Sequence, residues 1–334
     1  MPMDDPDART TPLPARIQVE VTGACNLRCR MCLVAYRPPL SVRRASMTLS
    51  RLRRLLDELP DLQELTLQGL GEPLLAPDVF AMIEEAKKRG LRVGFNTNAT
   101  LLTAARAMLL VELGLDWLHV SVDGASQETF SSIRVGGRLQ QVVENLRGLV
   151  RCRRDVGSQV PRIQLNTVLM RRNRHELPAL VRLAADIGVD RMWIQRLSHD
   201  FQDVVEREEY KAIRSFTDDE MLTDEEVASV LDANAALAQD LGLELRLPPL
   251  NTAAAITPAL RCDWPWSGSY VTHEGRVQPC CMVMGSDRVT LGDLGTESFR
   301  SIWQGPMYER FRRDLKGENP PNVCAGCAVY RGQF

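Results

Sequence analysis

Long apolar runs are missing from this 334-residue chain. No stretch of about 18 uncharged apolar residues occurs, so no membrane-spanning helix is expected. The N-terminal "MPMDDPDART" is acidic and has no apolar core, which excludes a signal peptide. Charge of one sign is missing too. Lys plus Arg number 41 and Asp plus Glu 43, so the formal net charge of −2 points neither to nucleic acid nor to an anionic membrane. Aromatics are scarce at 5%, within an apolar fraction of 44% that suits an ordinary globular protein. Lysine is nearly absent. Lys87, Lys88, Lys211 and Lys316 are the only four, and none stands at the end of a strand pattern, which disfavours Schiff-base chemistry. With no export signal, the chain is expected in the reducing cytoplasm. There its nine cysteines suggest metal ligands or buried thiols rather than disulfides.

Three of those cysteines stand in "EVTGACNLRCRMC", residues 20–32, with spacing C-x3-C-x2-C: Cys25, Cys29 and Cys32. A disulfide needs two thiols and a closed metal site four ligands, so three raises a question. The surrounding pattern is a βα rhythm. Apolar β-branched runs at 16–21, 64–68, 91–96, 117–122, 162–168 and 191–197 alternate with helical patterns at 48–59, 77–89, 101–113, 139–155 and 174–187. Thr48 and Ser50 are candidate N-caps, and Gly90 and Gly114 candidate C-terminal stops. Strands alternating with helices predict a parallel sheet with right-handed crossovers. Six units predict an α/β fold, a partial (β/α)6 barrel whose chemistry lies at the C-terminal strand ends.

Polar residues recur at those ends. The first strand runs into the cysteine loop, the second into "GLGEP" (69–73), the third into "NTN" (96–98) and the fourth into "SVDG" (121–124). The fifth carries Asn166, and Gln195, Ser198 and His199 follow from the sixth. Any one of these is an ordinary turn. Six in register beside a cysteine cluster read as a site. Three cysteines can hold three irons of a [4Fe–4S] cluster and leave the fourth iron open, as catalytic zinc sites keep a position open.

At this point the chain resembles a family. Cys25–Cys32 resembles the signature of radical S-adenosylmethionine (SAM) enzymes, and the likeness runs from about residue 16 to the end. It implies that SAM chelates the open iron and is cleaved to a 5′-deoxyadenosyl radical that abstracts a substrate hydrogen. Gly69, Gly71 and Glu72 would shape the turn that receives the SAM amino group, small residues letting backbone approach the ligand. Asn98, Ser121 and Asp123 resemble ribose- and methionine-contacting strand ends. Arg134 is placed like an arginine that pairs with the SAM carboxylate. Met31 stands where many relatives carry an aromatic, and a thioether can fill that apolar contact.

A second cysteine group contains Cys262, Cys280, Cys281, Cys324 and Cys327. One C-x2-C pair does not make a zinc ribbon. The spacing resembles the auxiliary-cluster twitch domain, the short form of the SPASM domain. That implies a second [4Fe–4S] cluster on Cys262, Cys280, Cys324 and Cys327. Neighbours on a strand point apart, so one of Cys280 and Cys281 should ligate, and the spacing favours Cys280. The expected layout is a disordered tail (1–15), the barrel (16–200), a charged helical linker (201–254) and a small cysteine-rich auxiliary domain (255–334).

The leading expectation is hydrogen abstraction followed by two-electron oxidation of a small molecule in natural-product biosynthesis. About fifteen residues precede the first strand, too few for a leader-binding domain, which tilts toward a small molecule. The alternative is a maturase that crosslinks, epimerises or oxidises a ribosomally made peptide or protein. A third reading is a metal-binding interaction protein without SAM cleavage. An external donor such as flavodoxin or ferredoxin is expected as partner. Oxidising an alcohol also needs a base. His199 and Asp200 follow the sixth strand, and Arg331, with Tyr270 and Arg276, is a rival from the auxiliary domain.

Overall fold

The structure, a computed structural model, describes residues 11–36, 45–197, 201–250 and 262–332. Six strands pair in parallel in chain order: β1 (Arg16–Val19), β2 (Glu64–Thr66), β3 (Arg92–Thr97), β4 (Trp117–Ser121), β5 (Arg162–Leu169) and β6 (Arg191–Arg196). Crossovers run through α1 (Leu49–Asp57), α2 (Val79–Lys88), α3 (Ala104–Glu112), α4 (Gln127–Ile133), α5 (Leu139–Asp155) and α6 (Leu177–Ile187). α1 starts where Thr48 Oγ1 accepts the Arg51 backbone N–H at 3.2 Å, while Ser50 lies inside the helix. After α2 and α3 the chain turns through Gly90 (φ +74°) and Gly114 (φ +68°), the left-handed region glycine enters without strain.

The segment expected as a helical linker holds α7 (Glu208–Glu220), α8 (Asp224–Asp240) and a short strand, β7 (Glu244–Arg246), which pairs in parallel with β6. At the other edge, the C-terminal region contributes β8 (Gly268–Val271), parallel to β1, then β9 (Arg276–Gln278) and β10 (Gly292–Asp293), both antiparallel. One ten-stranded sheet results, in the order β10-β9-β8-β1-β2-β3-β4-β5-β6-β7. The cysteine-rich region thus continues the barrel wall.

The strands have two unlike faces, set by their period of two. Val19, Leu65, Phe95, Leu118, Leu165 and Ile194 point outward, fully buried beneath the helices. The alternate positions carry Gln18, Thr66, Asn96, His119, Asn166 and Gln195, all of which line the barrel interior. A parallel sheet packed on both faces would be apolar on both. Here the inner face is polar because it walls a cavity.

Below the auxiliary group, α9 (Trp264–Ser267), α10 (Phe299–Trp303) and α11 (Pro306–Lys316) close the edge of the sheet. The guanidinium of Arg312 lies 4.2 Å over Trp303 and 4.3 Å over Tyr308, and donates to the backbone oxygens of Pro265 and Trp303, each at 2.7 Å. Stacked on two rings and bonded through Nε and Nη1, this buried cation is held without an acid, its Nη2 left without a hydrogen-bond partner. The helix α12 (Asn322–Ala325) carries Cys324.

Candidate active site and metal centres

The three-cysteine loop leaves the C-terminal end of β1. Arg28–Cys29 pairs with Arg134–Val135 in a short antiparallel ribbon that pins the loop beneath α4. Cys29 and Met31 are buried among Leu27, Ile133, Met170 and Phe216, with Cys25 and Cys32 at the edge of that cluster. Two side chains reach the sulfurs. Asn98 Nδ2 lies 3.9 Å from Cys25 Sγ and also donates to Asn26 Oδ1 at 3.0 Å, and Arg134 Nη1 donates to Cys29 Sγ at 3.7 Å. Arg134 Nε sits 2.6 Å from Asp123 Oδ2, while Asp123 Oδ1 accepts the Val168 backbone N–H at 2.7 Å.

These residues suit an iron–sulfur cluster. Burial pushes the Cys25 thiol up to about 11 and Cys32 to about 12, and raises Cys29 as well. Thiols held that high become thiolates only against a bound cation. The donor set is all sulfur, which selects soft metals and clusters. Asp123 Oδ2 and Arg134 Nε form a close ion contact beside the sulfurs, and Arg134 Nη1 is left to reach Cys29 Sγ. Among the described residues, no group of three His, Cys, Asp or Glu side chains is arranged to hold a single ion. A cluster, which spreads its ligands across its own width, asks for a wider arrangement than the ~2.3 Å bonds of one zinc.

The glycines of "GLGEP" are also needed for packing within the chain itself. A Cβ on Gly69 would lie 2.2 Å from Glu20 Cγ, and one on Gly71 would lie 2.1 Å from the Thr22 carbonyl oxygen. The close approach is to the chain's own first loop. Glu72 is buried and ties this turn to the end of β3: its carboxylate accepts Thr97 Oγ1 at 2.6 Å and the Asn98 N–H at 2.8 Å. Ser121 ends β4, partly buried.

Cys262, Cys280, Cys281, Cys324 and Cys327 are free thiols gathered on the β8–β9 edge. Burial raises Cys280 well above its ordinary range, and the other four thiols add to that. Burial also raises Cys262, and lifts Cys281 and Cys324 to about 12. Cys281, but not Cys280, lines the barrel cavity.

That cavity has a volume of about 640 Å³. Gly69 and Leu70 wall one part of it and Cys281 and Met282 another, so a single chamber reaches from the "GLGEP" turn to the auxiliary cysteine group. His119 projects into it from the middle of β4. Burial, and secondarily the Arg191 charge, lowers this imidazole to about 4, so it is neutral. The sequence reading missed it, although its inward register on a strand was the available signal. At the N-terminal strand ends Arg92, Arg162 and Arg191 line the chamber floor, where a Cβ on Gly94 would meet the Trp117 ring at 2.2 Å. A second cavity of about 240 Å³ shares Leu70, Tyr270 and Met284 with the first. Beside it Glu20 Oε2 meets His273 Nδ1 at 2.6 Å, a pair the sequence did not reveal.

Two expected residues fall elsewhere. Arg331 is exposed, donates to the Ala325 carbonyl oxygen at 3.0 Å and is not among the residues that line the chamber. Arg276 is exposed and pairs with Asp293 at 3.5 Å. His199 and Asp200 lie outside the described residues. Cys152 sits on α5, its sulfur 3.5 Å from Met108 Sδ, away from both cysteine groups.

Buried sulfur donors at the mouth of an open parallel barrel define an iron–sulfur protein with an internal cavity. Residues 19–184 match the profile of the radical SAM superfamily, and residues 262–328 match SPASM, an iron–sulfur cluster-binding domain. The chain is 30% identical over 340 residues to the AdoMet-dependent heme synthase of Methanosarcina barkeri, covering 95% of this chain and 92% of that protein. It is 26% identical over 330 residues to the tungsten-containing aldehyde ferredoxin oxidoreductase cofactor-modifying protein of Pyrococcus furiosus, with coverages of 94% and 87%. It is also 26% identical over 318 residues to the PqqA peptide cyclase of Methylorubrum extorquens, with coverages of 94% and 78%. Its fold is like that of Streptococcus suis SuiB, solved bound to the precursor peptide SuiA: TM-score 0.71, 14% identity, 96% of this chain and 70% of that one. The chain belongs to the radical SAM superfamily. It is an enzyme of that family with a C-terminal SPASM domain, and its cofactors are SAM and [4Fe–4S] clusters. Among the described residues no helix is long and apolar enough to cross a membrane.

Proposed function

We propose that this enzyme is a maturase that modifies a side chain of a ribosomally made peptide or protein. The observation that carries this reading is the single chamber walled by Gly69–Leu70 on one part and Cys281–Met282 on another. A side chain inserted there would lie between the "GLGEP" turn and Cys281 of the auxiliary group. The relation to a peptide cyclase over 94% of the chain supports a peptide substrate. The polar inner face supports it as well, since Asn96, His119 and Gln195 offer a peptide backbone hydrogen-bonding groups.

Cys25, Cys29 and Cys32 would hold the SAM-binding cluster, and Cys262, Cys280, Cys324 and Cys327 the auxiliary one. When bound, these groups and SAM supply a hydrogen-abstracting radical and an electron acceptor. The chain's own residues do the rest. Asn98 and Arg134 fix the sulfurs, Met31 offers an apolar contact to adenine, and Gly69, Gly71 and Glu72 hold the turn that faces SAM, with Ser121 and Asp123 at neighbouring strand ends. The enclosing wall keeps water from a reactive intermediate. The nine free cysteines fit a reducing cytoplasm, where a flavodoxin or ferredoxin would supply electrons.

Two-electron oxidation of a small molecule is the second reading. The chamber volume of about 640 Å³ favours it, being within the range of small-molecule sites. The experiment is incubation of reduced, iron-loaded protein with SAM and a peptide encoded beside its gene, the peptide deuterated at its side chains. Maturation predicts a mass change in the peptide and deuterium in 5′-deoxyadenosine. Unlabelled 5′-deoxyadenosine with an unaltered peptide rejects it, and turnover of a small molecule encoded by the same locus then establishes the second reading.

A further inference from the structure

Beside the three-cysteine loop lies one buried pair of opposite charges. Asp123 is fully buried and Arg134 nearly so. The pair is anchored on the protein side: Asp123 Oδ1 accepts the Val168 N–H at 2.7 Å, and the Asp123 carbonyl oxygen accepts Asn173 Nδ2 at 3.0 Å. Arg134 is fixed by its own backbone, since Arg134–Val135 forms the ribbon with Arg28–Cys29. From there Nη1 reaches Cys29 Sγ at 3.7 Å, and no other cation donates to any of the three sulfurs among the described residues. Two further buried acids stand near this loop: Glu72, on the Cys25 side, held by Thr97, Leu74 and Asn98, and Glu20, paired with His273.

We infer that Asp123 and Arg134 tune the reduction potential of the cluster that Cys25, Cys29 and Cys32 hold. The inference rests on Cys29 being a ligand of that cluster. Reduction adds one negative charge to the cluster. A guanidinium against a ligand sulfur favours the reduced form, and hydrogen bonds to the sulfurs act the same way. The Asp123 carboxylate lies behind Arg134 and partly cancels its charge. In a buried, low-dielectric wall both contributions are felt strongly. The two residues therefore pull the potential in opposite directions. Neither needs to touch substrate, so both are positioning residues.

The test is a potentiometric titration of the reconstituted full-length protein followed by electron paramagnetic resonance. The Cys25, Cys29 and Cys32 triple alanine variant supplies the spectrum of the auxiliary cluster alone. Arg134→Gln should move the first cluster to a more negative potential. Asp123→Asn should move it to a more positive one, and Arg134→Lys should stay nearer the unaltered protein than Arg134→Gln. A merely structural role would shift both variants the same way, through loosening and water entry. Shifts of one sign, or no shift in either, overturn the inference. If Arg134→Gln fails to hold iron, Asp123→Asn alone decides: a positive shift upholds the inference, and none or a negative one rejects it. Full iron retained by the triple alanine variant would instead reject the ligand assignment on which it rests.

Discussion

Glu20 and His273 stand 253 residues apart in sequence and 2.6 Å apart in the fold. Glu20 follows β1 just before the cysteine loop, and His273 lies in the β8–β9 hairpin that leads to Cys280. The same carboxylate accepts the Leu70 N–H at 3.0 Å and the His273 N–H at 3.3 Å. Three parts of the site, the first cysteine loop, the "GLGEP" turn and the auxiliary hairpin, are therefore held by one side chain. A Cβ on Gly23 would lie 2.7 Å from the His273 ring, so that glycine makes room for the pair.

The pair predicts a pH signature. Burial alone would raise Glu20, but the His273 hydrogen bond and charge outweigh it and hold the carboxyl below its ordinary range. Burial alone would lower His273, but Glu20 raises it. The Glu20 contribution is present above its unfolded pKa and lost as pH falls through its lowered folded value. The His273 contribution is present below its unfolded pKa of about 6.5 and lost as pH rises through its raised folded value. Stability from the pair should thus peak between those limits. Glu20→Ala should cost about 3 kcal/mol near pH 6, because it strands a buried partner. Urea unfolding across pH 5–9 checks both statements.

His119 predicts an opposite slope. Its folded value of about 4 lies below the ordinary one, so between roughly pH 6.5 and 4 the unfolded chain binds more protons and stability is lost as pH falls. His119→Gln should remove a slope worth roughly 2 kcal/mol over that window. Identical pH profiles in the two proteins would show that the ring is solvated rather than enclosed in the chamber.

Iron content tests the sulfur assignments. The reconstituted protein should hold about eight irons, two [4Fe–4S] clusters. Replacing Cys25, Cys29 and Cys32 by alanine should leave half of that and abolish SAM cleavage. Cys280→Ala should lose the auxiliary half. Cys281→Ala should keep all of the iron if Cys280 is the ligand, and iron loss in that variant would reverse the two roles.

Two glycine substitutions separate crowding from backbone strain. Gly71→Ala places a methyl 2.1 Å from the Thr22 carbonyl oxygen and should cost about 1–3 kcal/mol, with poorer cluster loading. Gly90→Ala meets nothing within 4 Å and should cost about 1 kcal/mol from its positive φ alone, with loading unchanged. Denaturant midpoints and iron content together distinguish them.

Much of this protein is local and was therefore readable from its sequence. The alternation of β-branched runs with amphipathic helices placed all six barrel strands, because strand and helix periods are properties of neighbouring residues. The cap at Thr48 and the stops at Gly90 and Gly114 follow from backbone chemistry at single positions. The spacing of Cys25, Cys29 and Cys32 fits three ligands into one short loop, and their likeness to radical SAM enzymes agrees with the family the whole chain belongs to. What the sequence could not decide depends on which distant surfaces meet. Arg331 reads as a chamber residue in the chain and in the fold stands exposed, donating to the Ala325 carbonyl oxygen. Gly69 and Gly71 read as room for a ligand, and the fold adds that a Cβ there would also meet Glu20 and Thr22. That β8 joins the barrel beside β1, that Glu20 finds His273, and that Arg134 stands between Asp123 and Cys29 are consequences of packing. No local pattern specifies such contacts, because their energies exist only once the sheet has brought the two partners together.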